Sequence, residues 1–344
     1  MLYPTQNGPR PDLALAGKMS QADMGGYAFT QLFPVLPTTE RAGDFSYAPA
    51  NLSNATTNVA EGRANGAALT ASELKTEDFP WTTGRLEARS VVYDNEVKSF
   101  GGIENADKNG GIDAVRRAYN KIESAAYSKV FSAARISAAT SLVDQGIINL
   151  LSKGAIAERP YGSPYLVLTT NGLLKMLQIP EVRKAMFGSF TAAQVMNMLT
   201  GTDKDLILSK LSPLLSMKGM IIFDSDIVTS VANDDCIAIV ALRPEAFAGN
   251  DALLRTAKQK AVYGFTAIFI PAGASADMPF GVSSTADGTA KANYYDAETR
   301  YSVNEIFSAA VKVFKMLTNL TDYSENVSPL KVEITNPPIS TPAE

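Results

Sequence analysis

Between residues 111 and 134, small and apolar side chains recur at steps of three and four: Gly111, Ile112, Val115, Tyr119, Ile122, Ala126, Val130 and Ala134. That spacing is the stripe of an amphipathic helix, and no proline interrupts it up to Ile136. With Asn109 and Asp113 as polar and acidic N-terminal groups, the pattern predicts a helix over 111–137, about 40 Å long. The preceding ADKNGGID has Asp107 and Asn109 where a calcium loop has its first and third ligands, but Ile112 and Ala118 stand where glycine and glutamate are required. It therefore reads as the cap of the helix, and a second helix is expected over 138–151.

From about Tyr161 the pattern changes to short strands alternating with helices. SPYLVLTTNGLLKMLQIPEVRK, residues 163–184, reads as a buried strand running into a helix that Pro180 stops, with Pro180 opening the next helix through about Phe187. A further helix is expected over 191–199, and strands over 218–223, 226–231 and 236–242. VYGFTAIFI returns the chain, a Gly- and Ala-rich loop spans 271–290, and ETRYSVNEIFSAAVKVFKML is read as strand in preference to helix. LEARSVVYDNEV and, near the C-terminus, LKVEI are short strands.

The first 90 residues differ from the rest. They are rich in Pro, Gly, Asn, Ser, Thr and Ala, and over 48–70 the only large apolar residues are Leu52, Val59 and Leu69. Segments this long without structure of their own are uncommon in compact domains. Phe29, Phe33, Phe45 and Tyr47 precede it and Phe79 and Trp81 follow, so it reads as a long hairpin-like arm ordered on another subunit.

Composition removes much chemistry. The 344 residues contain no histidine, which excludes His-based metal sites and Ser-His or Cys-His catalysis. The single Cys236, inside CIAIVAL, reads as a small buried hydrophobe. A net charge of −4, with the charges mixed along the chain, gives no footprint for tight nucleic-acid binding. Apolar runs are far shorter than the roughly 20 residues a membrane span needs. The N-terminus lacks the pattern of a signal peptide, so export by that route is not expected. The sequons at Asn51, Asn54, Asn319 and Asn326 accordingly carry no weight.

Two candidate sites remain. The turn Thr169-Thr170-Asn171-Gly172 lacks the glycines and lysine of a phosphate loop, and Thr170 or Asn171 is expected as a helix N-cap. Asp224 and Asp226, a DxD after an apolar strand with Asp234 and Asp235 nearby, are weak candidates for a divalent metal. A hairpin turn between MIIF and DIVTSV is the preferred reading.

The order of these pieces is itself informative. LFPVLPTTERAGDFSYAP leads into a long excursion, GRLEARSVVYDNEV feeds a long helix, and SPYLVLTTNGLLKMLQIPEVRK opens a compact α/β part. This order, over 29–334, resembles the major capsid proteins of tailed bacteriophages with the Hong Kong 97-type fold. The resemblance implies an α+β fold with an N-arm over 1–35 and an extended loop over 36–90. It further implies a peripheral domain over 91–158 plus 296–344 with its spine helix at 111–137, and an axial domain over 159–295.

It implies a structural protein, not an enzyme, with no cofactor, forming hexamers and pentamers in an icosahedral shell around double-stranded DNA held without sequence-specific contacts. The partners implied are many copies of itself, a portal, and a separate scaffolding protein or none, with a decoration protein left open and no membrane. The location implied is the virion, reached through the host cytoplasm. Few residues precede Phe29, so no long cleaved scaffolding segment is expected within the chain. Some relatives weld subunits by an isopeptide bond; Lys75 is the only lysine between Thr38 and Ser90 and thus the sole donor from the loop. A solvated or salt-bridging lysine is the preferred reading. Two rivals stand beside the capsid: an encapsulin-like nanocompartment, and a metal-dependent nucleotide-sugar enzyme using Asp224 and Asp226.

Overall fold

The structure is a computed structural model, and it describes residues 8–9, 27–47, 77–142, 146–187, 204–243, 262–270 and 280–316. The expected helix 191–199, the LKVEI strand and Lys75 lie outside the described residues. The fold is α+β.

The chain begins with β1 (Gly8–Pro9), α1 (Phe29–Leu32) and β2 (Val35–Thr38), followed by the hairpin β3 (Ala42–Tyr47) and β4 (Glu77–Thr82) and the long strand β5 (Gly84–Tyr93). Next come α2 (Ile103–Val130), the short α3 (Ala133–Ser137), β6 (Thr140–Ser141) and α4 (Ile147–Glu158). Strand β7 (Ser163–Thr169) leads to α5 (Thr170–Gln178), α6 (Pro180–Phe187), α7 (Lys204–Leu214), β8 (Gly219–Phe223) and β9 (Cys236–Leu242). The strands β10 (Gly264–Phe269), β11 (Gly281–Asp287), β12 (Ala292–Glu305) and β13 (Val311–Lys315) complete the described chain.

Two sheets organise it. In the larger, β12 pairs antiparallel with β5 along one edge and with β11 and then β10 along the other; β1 extends β11, and β2 lies parallel to β10. In the smaller the order is β6-β13-β9-β7-β8. The C-terminal third thus supplies β10, β11 and β12 to one sheet and β13 to the other.

Strand β5 alternates as a half-buried strand should: Leu86, Ala88, Ser90 and Val92 are buried, while Arg85, Glu87 and Arg89 are exposed. Helix α2 packs on β5 and β12 through a buried stripe that includes Ala106, Gly110, Ala114, Ala118, Ile122 and Ala126. Small residues dominate that stripe, so the helix lies close to the sheet. A Cβ at Gly110 would overlap the Tyr295 ring of β12.

The smaller sheet is apolar on both faces, which explains why SPYLVLT and CIAIVAL read as continuous apolar runs. Tyr165, Val167, Cys236, Ala238 and Val240 join the core shared with α2 and the large sheet. Leu166, Leu168, Ile237 and Ile239 face a second core with Leu151, Met176, Val182 and Leu211 from the helices. Strand 236–242 forms where it was expected.

Several boundaries are corrected. The long helix is Ile103–Val130 rather than 111–137. ADKNGGID lies inside it: both glycines are buried helical residues, and Gly110 lies against the Tyr295 ring of the sheet. At the other end, Arg135 folds back and donates to the Lys129 carbonyl at 2.5 Å, and Ser132 Oγ caps α3, so the chain turns after Phe131.

The second helix is Ile147–Glu158 rather than 138–151. Residues Thr140–Ser141 are drawn into pairing with Phe314 and Lys315, and Gly146 at φ 74 starts the helix with Glu181 accepting the Ile147 N–H at 2.9 Å. Gly154 does not stop it; a Cβ there would come within 2.8 Å of Ile239 and Phe314. Residues 226–231 are turns, not a strand. Of the loop expected over 271–290, residues Gly281–Asp287 form β11.

Candidate functional site

The strand-turn-helix at 163–178 has the shape in which α/β proteins hold anions, but here the chain's own groups fill it. Thr169 is the N-cap, one residue earlier than expected: its Oγ1 accepts the Gly172 N–H at 3.0 Å and donates to Asp234 Oδ1 at 2.5 Å. Asn171 donates its backbone N–H to Ser225 Oγ at 2.9 Å and its side-chain amide to Asp234 Oδ2 at 3.2 Å. Lys175 pairs with Asp235 at 2.6 Å. A Cβ at Gly172 would sit 3.0 Å from Thr169 Oγ1 and 3.3 Å from the Asp234 carbonyl, so the turn is closely packed. The N–H groups of Asn171 and Gly172 are thus taken by Ser225 and Thr169, Asp234 ties the side chains around them, and the turn joins strand to helix.

Asp224 and Asp226 are both exposed in the turn after β8. Asp224 Oδ1 accepts the Asp226 N–H at 3.0 Å, and Thr229 Oγ1 donates to the Ser225 carbonyl at 2.9 Å. These bonds wind the segment into a turn and divert it from a hairpin, because β8 is parallel to β7 and the chain must cross over before β9. Among the described residues no group of three or more metal-type side chains gathers. Cys236 is fully buried, and that burial pushes its thiol above the ordinary range.

Two segments before the long helix are firmly seated on the body. The first is the β3–β4 hairpin. Phe45 stacks on Phe265 of β10 at 4.5 Å between centroids, Phe79 meets the same ring edge-on at 6.4 Å, and Tyr47 meets Phe307 at 5.7 Å. Trp81 is buried over Gly43. The opposite face, with Asp44, Ser46, Asp78 and Pro80, is exposed. Phe45, Tyr47, Phe79 and Trp81, flagged in the sequence, thus seat the hairpin on the body, while Phe29 and Phe33 are buried in the segment before it.

The second is the lead-in segment 27–33. Phe29, Leu32 and Phe33 are fully buried, Tyr27 Oη donates to Asn120 at 2.7 Å, and Glu123 of α2 accepts the backbone N–H groups of Ala28 at 2.9 Å and Phe29 at 2.8 Å. Burial pushes the Glu123 carboxyl up to about 7, against the lowering effect of those two bonds. Sequence reasoning missed Glu123. The signal was a carboxylate one turn after Tyr119 and one turn before Ala126, inside the apolar stripe.

Between hairpin root and large sheet lies a cavity of about 330 Å³ lined by Arg41, Phe269, Ser283, Glu298 and Arg300. Arg41 lies over the Phe269 ring at 5.8 Å, and Glu298 is bound by Arg85 at 2.9 Å. Beyond it Arg89 pairs with Asp296 at 2.6 Å, giving the outer face of β5 and β12 alternating charges. Within the described residues no helix is long and apolar enough to cross a membrane.

No protein-family profile and no curated sequence matches the chain. Solved structures do. The fold is similar to that of a phage-related protein from Bordetella bronchiseptica, with a TM-score of 0.55 and 12% identity over 90% of this chain and 97% of the other. At lower similarity the chain resembles a virus-like particle from Pyrococcus furiosus (TM-score 0.45, 10% identity, 89% and 98% covered). It also resembles the mature capsid of bacteriophage PhiM1 (TM-score 0.44, 11% identity, 86% and 88% covered).

Proposed function

We propose that this chain is a structural major capsid protein that self-assembles as hexamers and pentamers into an icosahedral shell enclosing double-stranded DNA. The observation that carries the reading is a fold shared with a phage-related protein along nearly the whole of both chains. The aromatic seat of the β3–β4 hairpin on β10 supports it, because it fixes to the body the two strands that bracket the excursion expected over 48–70.

On this reading α2 is the spine helix of the peripheral domain (91–158 plus 296–344), backed by β5 and β12, with β10 and β11 running in the same sheet. Strands β7, β8 and β9 with α5, α6 and α7 belong to the axial domain (159–295), their sheet extended by β6 and β13 from the peripheral bounds, while β10 and β11 of the same span join the large sheet; residues 1–35 are the N-arm and 36–90 the extended loop. The subunit is mildly acidic, so its inner wall holds DNA loosely, without base contacts. Shell assembly then involves a portal, a separate scaffolding protein and a decoration protein, inside the host cytoplasm and then in the virion. Lys75 remains the one loop lysine able to donate a cross-link.

Sedimentation of the full chain, followed by nuclease treatment of particles from the producing cell, tests the proposal. Large particles that protect double-stranded DNA are expected. A monomer overturns it, and particles enriched in a cargo enzyme replace it with a nanocompartment.

A further inference from the structure

On the face of the large sheet turned away from α2, Arg85 of β5, Arg300 of β12 and Phe269 of β10 stand in one row, each directly opposite the next. Two guanidiniums facing each other across a ladder repel, so the row calls for carboxylates. The cavity lining supplies Glu298, but Arg85 takes it at 2.9 Å and holds Glu87 as well. Arg300 is left half-buried with no ion pair among the described residues, and Arg41, over the Phe269 ring, is equally unpaired. Opposite Glu298 stands Gly281, where an added Cβ would meet only the Glu298 carbonyl, at 3.9 Å. That missing side chain helps to open a groove with two arginines at its rim and an aromatic ring at its floor.

The turn after β8 is its counterpart. Asp224 and Asp226 are exposed, no described lysine or arginine pairs with either, and Val231 of the same segment is 39% exposed. The turn is fixed by the Asp226 N–H on Asp224 and by Thr229 on the Ser225 and Asp226 carbonyls, which leaves the Asp226 carboxylate unused. Within one chain the two surfaces do not meet. Ser124 and Tyr127 of α2 bind this segment at Ile227 and Asn233, on the helix side of the sheet, and the groove opens on the other side. The acidic outer face of the β3–β4 hairpin fits the groove less well, because Ser46 already binds Asp78 and no large apolar side chain is exposed there.

Resting on the reading of the chain as a self-assembling subunit, we propose that the groove is a docking site for a second copy, which presents residues 224–231 to it. Asp226 meets Arg300, Asp224 meets Arg41, and Val231 covers Phe269. Groove and turn are different surfaces, so the contact is heterologous and repeats from copy to copy around a ring. Guanidinium–carboxylate pairs of this kind fix the register of one copy on the next.

Sedimentation velocity of the full chain gives the concentration at which copies associate. Arg300→Glu and Asp226→Lys should each raise it roughly tenfold, and the chain carrying both should return to within about threefold of wild type. Single reversals that associate like wild type, or a double reversal that stays weak, overturn the docking site while the assembly reading stands. Rescue of Arg300→Glu by Asp44→Lys instead of Asp226→Lys overturns the turn as occupant in favour of the hairpin. A wild-type chain that never associates overturns both readings. Should Arg300→Glu not fold, Arg300→Gln replaces it: its loss and that of Asp226→Asn should not add in the double variant, and additive losses overturn the proposal.

Discussion

Gly110 of the long helix lies directly against the ring of Tyr295 in β12, with no room between them for a methyl group. The ring is fixed in turn by its hydroxyl, which donates to Asp107 one turn earlier on the same helix. Helix propensity favours alanine over glycine by about 1 kcal/mol, so Gly110→Ala separates propensity from packing. The variant is expected to be destabilised by about 1–3 kcal/mol, whereas Gly288→Ala, with nothing within 4 Å of the new Cβ, should change stability little. Denaturant unfolding of the two variants checks this.

Phe265 is the floor on which the hairpin root rests, touching both Phe45 and Phe79. Because it is fully buried, Phe265→Ala should cost about 3–5 kcal/mol. The hairpin should also become the earliest site of limited proteolysis. An unchanged cleavage pattern would mean that the aromatic seam does not hold the arm.

At the opening of α5, Thr169→Val keeps the shape but removes both the N-cap and the bond to Asp234. A loss of about 1–2 kcal/mol is expected, with no loss of any ligand. Titration with inorganic phosphate or manganese should give no heat of binding in wild type, in keeping with a turn filled by its own carboxylate.

Stability itself should carry the sign of the buried carboxyls. Glu123 is raised to about 7 by burial, so it weakens the fold as pH rises from about 4.5 to about 7, and Glu158, raised by the same cause, acts in the same direction. Glu123→Gln should remove Glu123's share of that pH dependence, from a starting point lowered by about 1–3 kcal/mol, because its amide can accept only one of the Ala28 and Phe29 N–H groups. Chemical unfolding at about pH 5 and pH 8 measures the difference.

The parts of the fold legible in the sequence were those whose pattern is local. CIAIVAL and SPYLVLT stood out because both faces of the smaller sheet are buried, and the long helix because its stripe repeats over many turns. What misled were residues whose role is set across the fold. Gly110 and Gly154 look like helix ends but are close contacts with Tyr295 and with Ile239 and Phe314. The β-branched run after Asp226 looks like a strand, yet local side-chain bonds and the parallel pairing of β8 with β7 turn it away. The roles of Asp234 and Glu123 could not be read locally, since each acts on backbone or side chains more than 60 residues distant in the chain.

Negative-stain electron microscopy of the expressed full chain tests the central claim most directly. Uniform closed shells, with subunits clustered in sixes and fives, are the predicted result. Discrete monomers or small oligomers at all concentrations would contradict it.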